Sequence, residues 1–232
     1  MKNWMDKIKK YRVTLILLVI TIVMGIVTVD TRKNREDLVY AESLDLVVAV
    51  VEDKEFTLKD FAVYVAHQEA QVQELAILYD PENTRAYWNV HTDGTYISHA
   101  ARNEAMSMAI HDELFYQLSQ DLEITFSDEE RKLLQNDVDD FWNDLVDEEK
   151  EKRLGITKED VYDTMLKIAC AEKCQMIYAK MHGLDYNDFD FYEEEFLKFL
   201  EEYEYEVYDS VLSRIDFGDV TLVHERDYAY GN

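Results

Sequence analysis

The sequence predicts a mainly α-helical domain behind one N-terminal transmembrane helix, with a short strand near each end of the helical part. Three observations predict this. Residues 13–29 read VTLILLVITIVMGIVTV, without a charge. The chain of 232 residues holds one proline and six glycines, too few for the frequent turns of a β-sandwich. Three Ser/Thr-x-x-acid segments each introduce an apolar run with helical spacing.

The apolar run is roughly 26 Å long at about 1.5 Å per residue, near the lower limit for crossing a bilayer core. Lys2, Lys7, Lys9, Lys10 and Arg12 precede it, and Arg32, Lys33 and Arg35 follow it. That bias places the N-terminus in the cytoplasm and the remainder outside the cell membrane. The run is longer than a usual signal-peptide core and no small-x-small site follows it closely, so an uncleaved anchor is favoured over a cleaved leader. The organisation is then a basic cytoplasmic segment at 1–12, an anchor at 13–29, a polar linker at 30–43, a helical domain at 44–224 and a tail at 225–232.

In the domain, Leu44–Val51 is β-branched and reads as a strand, turned by Glu52-Asp53-Lys54 towards a short return at Glu55-Phe56. Thr57-x-x-Asp60, Ser127-x-x-Glu130 and Thr157-x-x-Asp160 are capping boxes, the first and third with the shorter acid. Phe56 with Phe61, and Ile156 with Val161, have the spacing of hydrophobic staples. Helices are expected over 58–78, 96–121, from 128, and over 158–182, with a shorter one over 191–203. The 158–182 helix carries two apolar stripes, Val161/Met165/Ile168 and Leu166/Cys170/Cys174/Ile177/Met181, so it either packs between neighbours or lines a groove. Tyr205–Tyr208 alternates, and Asp219–Val223 (DVTLV) reads as a closing strand.

The formal charge is −26. Residues 1–36 hold eight of the 24 Lys/Arg and three of the 50 Asp/Glu; the rest keeps 16 basic against 47 acidic residues, a net of −31. Such a surface repels phosphate, which excludes nucleic acid as a partner, and it attracts basic polypeptide segments. No phosphate-cradling glycine loop, G-x-S-x-G or H-E-x-x-H is present. Asp185-x-Asn187 starts like a calcium loop, then fails at Phe189, Asp190 and Phe196. Cys170 and Cys174 lie one turn apart on an apolar stripe and read as core thiols. No catalytic residue, metal site or cofactor is expected, and the chain reads as a non-enzyme.

The order of these segments resembles the SurA/PrsA-type chaperone domain of extracytoplasmic foldases, whose relatives include the peptide-binding region of trigger factor. The resemblance covers about residues 45–223. It is carried by VVAVVEDKEFTLKDF (47–61), ITFSDEE (124–130), GITKEDV (155–161) and FGDVTL (217–222). Many relatives have Asn-Gly in the first turn, where this chain has Glu52-Asp53. Many also carry a parvulin prolyl isomerase domain before the last helix, for which this chain has no room. The resemblance implies a membrane-anchored, extracytoplasmic chaperone-like protein that binds unfolded or secreted polypeptides without catalysis. The alternatives are an isomerase relative acting through an unrecognised site and a docking subunit of an envelope complex. The expected client groove is apolar, with Phe141, Trp142, Met165 and Met181 as its candidates.

Overall fold

A computed structural model describes residues 38–224. The expected cytoplasmic segment at 1–12, anchor at 13–29 and tail at 225–232 lie outside the described residues. Among those that are described, no helix is long and apolar enough to cross a membrane.

The three capping boxes form as the sequence predicts and start three of the four long helices among the described residues: α1 (Leu58–Tyr79), α4 (Asp128–Asp147) and α6 (Lys158–His182). In each, the Ser/Thr hydroxyl accepts from the backbone N–H three residues on, and the acid accepts from the cap residue's own N–H. These distances are 3.4 and 3.0 Å at Thr57, 3.2 and 2.7 Å at Ser127, and 3.3 and 2.9 Å at Thr157. The staples form too. Phe56 meets Phe61 edge-to-face at 6.4 Å, and Ile156 and Val161 are both buried. The free N–H groups of Leu58 and Lys59 donate to the carbonyls of Leu46 and Leu44. The fourth long helix, α3 (Ile97–Asp121), follows a five-residue helix α2 (Thr84–Trp88) and a two-stranded hairpin of β3 (His91–Thr92) and β4 (Thr95–Tyr96). The sequence pattern treats that stretch as loop.

The strand near the start is β1 (Val47–Val51), shorter than the expected Leu44–Val51. It pairs antiparallel with β2 (Lys54–Thr57) on one edge and β5 (Tyr205–Val207) on the other. Glu52, at the turn, has φ +54°, a left-handed conformation that Asn or Gly adopts more easily. Its side chain compensates by accepting from Glu204 N–H at 2.6 Å, so the acid at this turn fastens β5 to the hairpin. Residues 38–43 belong to the folded unit, which corrects their placement in a linker. Tyr40 is buried and its hydroxyl donates to the Leu58 carbonyl at 2.7 Å.

A second correction concerns residues 219–223, which form no strand. The closing strand is β5, and the segment after it is held by one carboxylate. Glu69 on α1 is fully buried and accepts from Gly218 N (2.6 Å), Val220 N (3.2 Å), Thr221 N (2.6 Å) and the Thr221 hydroxyl. Four donors converge on two oxygens, an arrangement suited to an ionised carboxylate. Burial pushes the Glu69 carboxyl above its ordinary range, and these hydrogen bonds oppose that push. Gly218 has φ +102°, and a Cβ there would lie 2.6 Å from the Trp88 ring, so the hook needs glycine.

The helices pack around α6. α3 and α6 share the largest interface, α1 lies across both, and the short α5 (Lys150–Leu154) turns the chain from α4 into α6. One end of the core is aromatic. Phe115 on α3 is fully buried and stacks on Phe199 of α7 (Glu194–Leu200) at 5.1 Å and 8°. Phe189, Phe196 and Tyr178 close around it. The acidic stretch at 193–206 is therefore structured, as its Phe and Tyr content predicts, and α8 (Asp209–Leu212) follows β5.

Candidate functional site: an acid-lined furrow between α4 and α6

α4 is attached differently from the other long helices. Of its twenty residues only Leu134, Val138 and Leu145 are buried. It leans mainly on α6, held by ion pairs Glu130–Lys173 (2.5 Å) and Asp139–Lys158 (2.8 Å). Three acids, Asp128, Glu129 and Glu130, occupy its first turn, where they complement the helix dipole.

Two cavities lie along this attachment. The inner one, about 320 Å³, sits where all four long helices converge. Its walls are Val63, Tyr64 and His67 from α1, Met108 and Asp112 from α3, Phe141 from α4, and Met165 and Ile168 from α6. The outer one, about 500 Å³, is lined by Phe126, Leu133, Met176 and Tyr186, among others. Leu134, Asp137, Ala169 and Glu172 line both, so the two are halves of one furrow.

Helical phase explains its continuity. The α4 lining positions are 130, 133, 134, 137 and 141; those of α6 are 165, 168, 169, 172, 173 and 176. Both sets follow the i, i+3, i+4, i+7 pattern of a single helix face. The eleven steps from 130 to 141 on α4 span about 16 Å at about 1.5 Å each, room for about five residues of extended chain. The outer half is open, with Leu133 62% and Met176 56% exposed.

Of the four residues expected to line a groove, Phe141 and Met165 come together in the inner cavity. Trp142 and Met181 line neither half. Trp142 is one position, about 100° of helix rotation, past Phe141 and packs partly buried against the core. Met181 lies beyond the furrow's end, out of phase with positions 165–176, and is 66% exposed. Choosing large apolar residues, without asking which share a phase, brings in these two. It also passes over Leu133, Ile168 and Met176, which the same phase count identifies.

The polar lining is anionic. Asp112 is held by Tyr64, whose hydroxyl donates at 3.1 Å, and by His111 Nδ1 at 2.8 Å; the other His111 nitrogen meets the Phe189 carbonyl at 3.0 Å. Burial, then the charges of Asp112 and Asp137, push the Glu172 carboxyl above its usual range, with His111 pulling the other way. The Tyr186 phenol is pushed up to about 12, by burial first and then by Glu172, Asp190 and Asp112. Burial lowers His67. Lys173 is the sole lysine or arginine of the lining, and it is engaged by Glu130 and the Thr125 carbonyl.

Cys170 and Cys174 are buried free thiols, and burial pushes Cys174 up to about 12, far from a reactive thiolate. Among the described residues no group of three or more His, Cys, Asp or Glu is placed to hold a metal ion. Asp185 and Asp188 cap the 3₁₀ turn Tyr186–Phe189. The furrow thus offers apolar contact and negative charge, the means of reversible binding. No family model, curated protein or solved structure matches the chain.

Proposed function

We propose that this chain is a membrane-anchored, extracytoplasmic, chaperone-like protein that holds apolar segments of unfolded or secreted polypeptides in the α4–α6 furrow, without catalysis. The observation that supports this best is the furrow itself. It is continuous, open at one end, and walled by Met108, Met165 and Met176 together with Phe126, Phe141 and Leu133. Methionine side chains adapt to differently shaped apolar partners, which suits a holder of varied segments. Affinity would come from removing apolar surface from water, and release needs no covalent step. The apolar run at 13–29 would keep the furrow beside the membrane from which secreted chains emerge. The likeness of the segment order to SurA/PrsA-type domains points the same way.

The test is site-specific photocrosslinking on the full chain in lipid nanodiscs, with a reduced, unfolded protein supplied as client. Probes at Leu133 and Met176 should capture the client, and a probe at Leu197, exposed on α7, should not. Equal capture at all three positions would remove the furrow from the reading. Catalysis of prolyl isomerisation by the same preparation would replace it with the isomerase alternative. A single stoichiometric partner crosslinked in cells would replace it with the docking-subunit alternative.

A further inference from the structure

Resting on that reading, we infer that the furrow selects apolar segments carrying one lysine or arginine, whose cation seats between Asp137 and Glu172 where the two halves meet.

The inference starts from which carboxylates are already used. Asp112 is occupied by the Tyr64 hydroxyl and His111. Glu130 has Lys173, and Asp139, two residues past Asp137 and so turned away from the furrow face, has Lys158. Lys167, the remaining lysine of the middle of α6, is turned to Asp60 and Glu113 at 3.7 Å each and lies over the Tyr116 ring. Every lysine of α6 that could reach the middle of the furrow is therefore drawn to its edges or away from it. Asp137 and Glu172 keep no hydrogen bond or ion pair among the described residues, and both line both cavities. Both are open to water and hydrated as they stand, so what they offer is charge complementarity: two like charges beside apolar walls favour an incoming cation.

The walls set the rest of the specificity. On the inner side the furrow offers Phe141, Met165 and Ile168, and on the outer side Leu133 and Met176. A segment of about five residues spans these contacts with its centre over the Asp137–Glu172 pair. Lysine and arginine suit that centre because their aliphatic stems lie along apolar surface while the charged head stays with the carboxylates. An acidic or uncharged polar residue at the centre gains nothing there, and an acidic one is repelled.

Two peptides decide the matter. Each is a fluorescent nonapeptide of leucine, phenylalanine and serine, with either lysine or norleucine at the centre, so that they differ by the amine alone. Binding to the full chain in nanodiscs is read by anisotropy at low and at high salt. The lysine peptide should bind about three- to fivefold more tightly at low salt, an advantage that shrinks as salt is raised. In the double variant Asp137→Asn/Glu172→Gln the advantage should vanish, the two peptides binding alike. Both substitutions are on solvent-open positions, and an unchanged far-UV circular dichroism melting curve reports an intact fold. Equal affinity of the two peptides for the unaltered chain would overturn the inference and leave the holder reading standing. A lysine advantage that survives in the double variant would also overturn it, because the cation would then sit elsewhere. Binding of neither peptide would overturn both.

Discussion

Phe115 and Phe141 are the same residue on two long helices, and their surroundings are opposite. Phe115 is fully enclosed, with Phe199 stacked on it and Phe189, Phe196 and Tyr178 closing the rest of its surface. Phe141 packs on the core with one side only and gives the other to the inner cavity. The α3–α6–α7 end spends its aromatics on rigidity, while α4 withholds apolar surface from the core and keeps it available. Folded proteins leave much apolar surface exposed, and α4 does so with only three of its twenty residues buried.

The sharpest way to break this comparison is at its rigid end. Phe115→Ala should destabilise the protein by about 4 kcal/mol, since it removes a ring from a site with little freedom to collapse. Urea denaturation measures this. A loss no greater than that of an exposed residue would mean that the aromatic end does not carry the fold.

Glu69→Gln comes next. An amide can accept on one side only, so its NH₂ group would face backbone N–H donors of the 218–221 hook that now have a carboxylate. Leaving buried donors unpaired predicts a loss on the order of 3 kcal/mol, or a melting temperature lower by roughly 6–12 °C. Far-UV circular dichroism at rising temperature reads it. An unchanged midpoint would mean that the hook is held by its other contacts, such as His224 Nε2 to the Gly218 carbonyl at 2.7 Å.

These two regions also differ in how much the sequence discloses. The capping boxes at Thr57, Ser127 and Thr157 were legible because donor and acceptor are three residues apart, and local chemistry decides them. The Glu69 hook was not, because its partners lie 149 to 152 residues further along the chain. The alternation of DVTLV imitates a strand, yet the backbone N–H groups of Val220 and Thr221 go to a carboxylate and not to a sheet. The furrow stands between these cases. Its α6 face is written in the phase of Met165, Ile168, Ala169, Glu172 and Met176, but that phase marks a groove only once α4 is seen to lean on one neighbour. The two-stripe pattern of α6 left both outcomes open, and the stripes divide. Cys170 and Cys174 of one stripe are buried, while Met165 and Ile168 of the other line the inner cavity.

The smallest expected effect on stability belongs to Phe141→Ala, and it sharpens the comparison most. Phe141 is only partly buried and already borders a cavity of about 320 Å³, so truncation enlarges a space that exists and need not open a new one. A loss of about 1 kcal/mol or less is expected, well below that of Phe115→Ala. Client capture at Leu133 and Met176 should nevertheless fall, because the ring supplies one wall of the inner half. The two readouts separate the roles of the two phenylalanines. A residue of the rigid end loses stability first and capture only through unfolding; a residue of the furrow loses capture while the folded fraction stays near its original value. If Phe141→Ala were to cost as much stability as Phe115→Ala, α4 would be an integral wall of the core and the furrow merely a packing gap beside it.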